Sequence, residues 1–172
     1  YPNTFNDDVY KLQSLNCDLL FKPSNEELYP KGLFKENTVK IYRNILCDLH
    51  RPGHFDGVTT IVNILLNNIK PDNAYFGQKD FQQLKIIKEL VEIKKFKTKI
   101  IGCPSIRDTV GMSLSSRNSK FSASQKSIFK ELASKLQNLI TSLKEKKDEN
   151  IIKKFIDDLK VLNINKVDYI EI

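Results

Sequence analysis

The 172-residue chain has little that would staple it together or anchor it. Its three cysteines, Cys17, Cys47 and Cys103, are odd in number and share no Cys-x-x-Cys spacing. That argues against a disulfide framework and a zinc site, and reduced thiols suit a cytoplasmic protein. No apolar run approaches the roughly 20 residues that a bilayer span requires, and no signal-peptide pattern is visible. Two histidines, His50 and His54, stand four apart, but Pro52 and Gly53 between them break the helix that would bring both onto one metal ion. Gly- or Pro-rich linkers, internal repeats and low-complexity tracts are also missing. What remains, 40% hydrophobic and 28% charged residues, suits a soluble globular protein with enough length to bury a core.

The net charge of +7 raises the question of nucleic acid. The lysines cluster in Lys94-Lys95-Phe96-Lys97-Thr98-Lys99, in Lys144-Glu145-Lys146-Lys147 and in Lys153-Lys154, at helix ends and on polar faces, where they complement the helix dipole. Aromatic residues are not interleaved with arginine and no nucleic-acid module is recognisable, so a solvated basic surface accounts for the charge.

Apolar periodicity predicts alternating elements. Residues 4–16 read as a helix with Thr4 as N-cap, and 18–21 as strand-like. Ser24-Asn25-Glu26-Glu27 has the form of a capping box before a short helix ended by Pro30. Residues 38–42 read as a strand. In 55–69 a helix places Val58, Ile61, Val62, Leu65, Leu66 and Ile69 on one face. A short buried strand ends at Phe76, a helix runs on to Phe96, and 99–102 is another strand. Strand, helix, strand in this order predicts an α/β fold, a parallel sheet with flanking helices and right-handed crossovers. Beyond Pro104 come two amphipathic helices, 122–144 (capped by Ser122 or Ser124) and 150–162, then a strand over 167–172. The change of character near Cys103-Pro104 places a domain boundary between residues 105 and 106.

Two segments carry chemistry. In Phe76-Gly77-Gln78-Lys79-Asp80-Phe81-Gln82-Gln83-Leu84 a glycine, a cation and a carboxylate stand where a strand turns into a helix. Unpaired N–H groups and the positive end of the helix dipole favour an anion there, beyond the carboxyl end of the strand. Gly77 lets the backbone approach a ligand and Lys79 adds a point charge. The same residues also read as an ordinary tight turn, with Asp80 capping the helix and Lys79 solvated. Gly111-Met112-Ser113-Leu114-Ser115-Ser116-Arg117-Asn118 crowds hydroxyl and amide groups around one guanidinium, an arrangement suited to oxyanions. It also reads as a polar surface loop making local turns.

These segments, together with Gly102-Cys103-Pro104 and Arg107, with Arg51-Pro52-Gly53-His54-Phe55-Asp56-Gly57-Val58, with Tyr1-Pro2-Asn3-Thr4 and Asp7-Asp8, with Pro23-Ser24 and Tyr29-Pro30, and with Val167-Asp168-Tyr169-Ile170-Glu171, resemble the pantothenate synthetase family, the pantoate-β-alanine ligases. The resemblance covers nearly the whole chain. A segment of the type Met-Gly-(Ala/Tyr)-Leu-His-x-Gly-His, which precedes this region in the family, is not found, so the chain is expected to be an internal and catalytically incomplete portion of a longer protein.

The resemblance implies an ATP-binding Rossmann-like domain, residues 1–105, followed by part of a smaller α+β lid domain, 106–172. It implies ATP-dependent ligation of pantoate to β-alanine through a pantoyl adenylate, with magnesium accompanying the ATP, in a cytoplasmic homodimer. Carried over by position, Gly77, Gln78, Lys79 and Asp80 line the ATP, with Lys79 on phosphate and Gly77 and Asp80 near the ribose. Ile106 offers its backbone to adenine, and Leu114, Ser115, Ser116 and Arg117 form the second phosphate-facing loop. Gln83 hydrogen-bonds pantoate, and Lys79 and Arg117 stabilise charge during transfer. Asp7 and Asp8 read either as helix-start acids or as holders of a hydrated magnesium ion. Arg51 and His54 fit either the pantoate side or a dimer contact. Two other readings fit the residues: another nucleotidyl-transferring enzyme of the same superfamily acting on a different acid, and a basic binding module without catalysis.

Overall fold

The computed structural model of the chain describes residues 5–32, 34, 38–145, 148–164 and 166–171. The chain divides into two compact units, residues 1–34 and 35–172.

The first unit holds two helices, α1 (Phe5–Ser14) and α2 (Asn25–Leu28), neither with a buried residue. The expected cap Thr4 lies outside the described residues. The capping box forms as the sequence requires: Glu27 N donates to Ser24 Oγ at 3.2 Å and Ser24 N donates to Glu27 Oε2 at 2.7 Å. The strand expected over 18–21 does not form. Leu19 is 82% exposed, and no ladder partner stands beside the segment among the described residues. An apolar run can be extended without being a strand, because a strand needs a hydrogen-bonded neighbour. Lys22 Nζ instead sits 4.7 Å from the centre of the Phe5 ring.

In the second unit, α3 (Leu46–His50) and α4 (His54–Ile69) meet at the Pro52-Gly53 corner. Gly53 has φ +76°, the left-handed region that favours glycine, so the two helices cannot run on as one. His50 and His54 part accordingly: His50 stacks on Tyr169 with centroids 5.5 Å apart, and His54 lies against Phe55 at 5.0 Å. Helix α4 stops at Lys70, which is left-handed and precedes Pro71.

Strands β1 (Asn73–Gly77) and β2 (Lys99–Cys103) pair in parallel, with Asn73 opposite Lys99 and Gly77 opposite Cys103, and α5 (Phe81–Ile93) connects them. Thr98 Oγ1 donates to Pro71 O at 2.7 Å and Lys99 N to Asp72 O at 2.8 Å, tying the starts of both strands together. Fully buried β1 was the expectation; instead it alternates, with Ala74 and Phe76 against the core and Tyr75 66% exposed. One face of the sheet is therefore covered by helices, and the other face of β1 is open. The core joins Phe55, Val62 and Leu66 of α4 to Ile86, Ile87 and Leu90 of α5, and Val39 inserts into it at 1% exposure. Residues 38–42, expected as a strand, bury Val39 from a loop and turn instead.

Helices α6 (Ala123–Glu145) and α7 (Glu149–Val161) form a hairpin with its own core of Leu139, Phe155 and Leu159. Ser122 caps α6: Gln125 N donates to Ser122 Oγ at 3.2 Å, and Ser122 N donates to Gln125 Oε1 at 2.9 Å. Asp148 caps α7. Of the strand expected over 167–172, residues 167–171 are not a strand, and Ile172 lies outside the described residues. Val167 and Ile170 pack on the hairpin core from an unladdered segment. No helix among the described residues is long and apolar enough to cross a membrane.

Candidate active site

Because Gly77 pairs with Cys103, the turn after β1 and the segment after β2 leave the sheet at the same edge, the carboxyl ends of its strands. Ligands of open α/β sheets bind at that edge. The chain after Gly77 makes a 3-10 turn, Gln78–Asp80, before α5 begins at Phe81. Asp80 precedes α5 without a side-chain capping hydrogen bond, and the side chains of Lys79 and Asp80 make no hydrogen bond or ion pair with another described residue. The reading of Asp80 as a helix cap therefore fails. Gly77 is extended, with φ −69°, and a Cβ built on it would meet nothing within 4 Å. Backbone conformation does not demand glycine there; the space in front of it is simply open.

Gly102 is the glycine that packing requires. A Cβ there would stand 2.9 Å from Leu84 Cδ2 and 3.4 Å from Gln78 Cγ. Its absence lets the start of α5 settle onto β2, and Gln78 Nε2 reaches Gly102 O at 3.5 Å.

After β2, Arg107 and Ser113 form an antiparallel bridge. Asp108 Oδ1 accepts from Val110 N at 3.0 Å and from Met112 N at 2.9 Å, while Arg107 Nη1 donates to Gly111 O at 2.9 Å. Leu114 N donates to Ile106 O at 2.9 Å, which engages the carbonyl of Ile106 within the loop. Ile106 is 69% exposed. A second 3-10 turn, Ser116–Lys120, follows, capped by Ser115, whose Oγ accepts from Arg117 N at 3.3 Å. Asn118 Nδ2 donates to Ser113 O at 3.0 Å, and Ser119 Oγ donates to Ser116 O at 2.9 Å. The local-turn reading thus holds for Ser115, Asn118 and Ser119. The hydroxyls of Ser113 and Ser116 make no bond to a described residue.

A cavity of about 930 Å³ joins the two segments, with Lys79, Arg107, Arg117 and Lys130 among its lining residues and Phe121 and Phe129 on its apolar wall. A second, of about 890 Å³, is lined by Leu114, Ser115, Ser116, Lys126 and Lys130. Cations and free hydroxyls around a volume of this size suit a ligand that carries several phosphate oxygens. Arg107 entered the sequence reading only as part of a motif, while Lys126 and Lys130 escaped it because they lie on the polar face of α6 and look solvated. Gly77, Gln78, Asp80, Gln83 and Ile106 do not line either cavity. Gln83 is half-buried on the first turn of α5. Asp7 and Asp8 are exposed in the first turn of α1, and no group of three possible metal ligands stands together among the described residues.

The corner before α4 is held by a charged knot. Arg43 Nε pairs with Asp48 Oδ2 at 3.0 Å, Asn44 N donates to the same oxygen at 2.7 Å, and Arg43 Nη2 lies 2.8 Å from Asp56 Oδ1. This ion pair is the contact that the buried Asp56 Oδ1 makes among the described residues. Burial works against the charge of Asp48, yet the Arg43 guanidinium and the Asn44 amide hold its carboxyl below the ordinary range. Burial likewise works against the charge of Arg43, and the two carboxylates raise its pKa in spite of it. Burial and then the charge of Arg51 push His54 down, opposed by Asp48 and Asp80.

The model of the pantoate-beta-alanine ligase family matches residues 1–172. The chain belongs to that family. It is 40% identical to the pantothenate synthetase of Caldicellulosiruptor saccharolyticus over 99% of this chain and 62% of the relative. With the pantothenate synthetase of Buchnera aphidicola it shares 43% identity over 96% of this chain and 59% of the relative. Among solved structures, pantothenate synthetase from Thermus thermophilus superimposes with a TM-score of 0.86 at 30% identity, covering 98% of this chain and 62% of the other. A pantoate-beta-alanine ligase from Francisella tularensis, complexed with beta-gamma ATP and beta-alanine, gives a TM-score of 0.75 at 41% identity over 80% of this chain and 53% of the other. The chain thus spans about three fifths of the length of the relatives it matches. The small parallel sheet with flanking helices is the α/β fold shared with these ligases.

Proposed function

We propose that this chain carries the ATP- and pantoate-binding part of a pantoate-β-alanine ligase. The observation that supports it most is the lining of one cavity by Lys79, from the turn after β1, and Arg117, from the turn after the Arg107 bridge. In the proposed reaction a carboxylate oxygen of pantoate attacks the α-phosphorus of ATP and pyrophosphate leaves. The amine of β-alanine then attacks the acyl carbon of the adenylate, AMP leaves with the bonding electrons, and pantothenate results. Negative charge gathers on the phosphate oxygens in the first step, so positioning and fixed positive charge are what the protein must supply.

In this reading Lys79 and Arg117 carry the phosphates, and the free hydroxyl of Ser116 adds a single donor. Ser115 and Leu114 complete the loop, and the open space at Gly77 receives the nucleotide beside Gln78 and Asp80. Ile106 offers its backbone to adenine. Gln83 supplies a neutral amide that can donate to and accept from pantoate. Magnesium would enter with the triphosphate, which provides most of its ligands.

The proposed domain boundary between residues 105 and 106 is supported by the two separate cores, one drawn from residues 39–100 and the other from 132–170. A homodimeric, cytoplasmic enzyme completes the proposal on resemblance alone. Pantoate-dependent exchange of pyrophosphate into ATP by the whole protein tests the reading.

A further inference from the structure

Gln82 gives its entire side-chain amide to the backbone of another segment. Its Oε1 accepts from Cys47 N at 3.0 Å, and its Nε2 donates to Tyr42 O at 2.8 Å and to Ile45 O at 2.9 Å. Two carbonyls on one side and an N–H on the other admit one orientation of the amide, and they use both of its donor hydrogens. The segment it grips is unusual. Tyr42, Asn44 and Leu46 all have positive φ, at 56°, 57° and 48°, a region that residues with a Cβ avoid and that persists where the surroundings over-determine it. Asp48 braces this segment from within through Arg43 and Asn44. Gln82 braces it from α5.

That grip bears on the site because of what adjoins Gln82 in sequence. Gln83 is the next residue on the same helical turn. At the other end, residues 42–47 lead into α3 and the Arg51 to His54 corner. We propose that Gln82 is a positioning residue for the acid substrate, pinning the first turn of α5 to residues 42–47 so that Gln83 is presented at a fixed distance and angle. The role rests on the ligase reading of Gln83.

Gln82→Glu is the sharpest test, since it keeps the size of the side chain but loses both donors and turns a carboxylate towards two carbonyl oxygens. In the whole protein, pantoate-dependent pyrophosphate exchange should then show a pantoate KM raised about tenfold or more, with the ATP KM within about threefold. In parallel the Cys47 amide should exchange with solvent at least about tenfold faster. Gln82→Asn, which retains the amide on a shorter stem, should move the same two readouts in the same direction by less, and it stands in if the glutamate variant fails to fold. Absence of pantoate-dependent exchange in the unsubstituted protein removes the ligase reading and this role with it. An active protein in which the substitutions raise both KM values alike, lower kcat alone, or change nothing leaves Gln82 a structural residue and overturns the proposal.

Discussion

Lys79 and Arg117 line the same cavity of about 930 Å³, one from the turn after β1 and the other from the 3-10 turn after the Arg107–Ser113 bridge. Neither segment alone separates an anion site from an ordinary polar turn. Two cations from unrelated turns lining one volume support the proposed anion site.

Lys79 is exposed and has no described partner, so removing its ammonium should leave the fold alone. Lys79→Ala should slow adenylation on the order of tenfold to a thousandfold, as loss of a transition-state donor does. Circular dichroism and the melting temperature should not change. Exchange kinetics equal to those of the parent would remove Lys79 from the phosphate site.

Gln83→Ala should raise the pantoate requirement far more than the ATP requirement, because the amide contacts the acid in the proposed site. Steady-state kinetics with each substrate varied in turn decides it. An equal rise in both requirements would mean that Gln83 has been misassigned.

Gly102→Ala inserts a methyl group 2.9 Å from Leu84 Cδ2 and 3.4 Å from Gln78 Cγ, between β2 and the start of α5. Overpacking of this kind costs about 1–3 kcal/mol, and here the displaced groups adjoin the Lys79 turn. Urea denaturation should record that loss, and ATP affinity should fall with it. A variant as stable as the parent would show that Leu84 swings aside freely.

Acidification should weaken the fold in two steps. His54 is held below its ordinary value of 6.5, so the folded state takes up its proton less readily than the unfolded chain does. Its contribution is complete above about pH 6.5 and is lost as the pH falls from there towards the folded value. Asp48 is also held low, by Arg43 and Asn44 acting against its burial, and its contribution disappears as the pH falls below its ordinary 3.8 towards the folded value. Denaturation at a series of pH values should show the first step vanish in His54→Gln and the second persist. Stability that rises between pH 7 and pH 5, or a first step that survives the substitution, contradicts the assignment.

Much of this architecture is legible in the sequence where a local signal is sufficient. The capping box at Ser24 and Glu27 and the Ser122 cap each rest on side chains close in sequence, and each forms; the apolar face of 55–69 packs through Val58, Ile61, Val62 and Leu66, while Ile69 at its end is 50% exposed. Strands were over-read at 18–21, 38–42 and 167–171, since alternation says that a side chain can be buried and not that a ladder partner exists. Val39 and Val167 are examples: one buries fully and the other packs on the hairpin core, both outside any strand. Helix α3 carries no local signal, because Ile45 gives it no side-chain cap, its approach runs through left-handed Tyr42 and Asn44, and its first residue, Leu46, is left-handed too. In the candidate site, Lys79, Ser116 and Arg117 could be read from motif chemistry. The grip of Gln82 on Tyr42, Ile45 and Cys47 could not, because it depends on backbone groups that only the fold brings within reach.

The most direct measurement is exchange of labelled pyrophosphate into ATP by the whole protein, with and without pantoate. Exchange should require pantoate, should not be supported by other hydroxy acids at the same concentration, and should be nearly abolished when Lys79 and Arg117 are both replaced by alanine. Exchange driven by a different acid, or pantoate-dependent exchange that survives the double replacement, would contradict the proposed assignment.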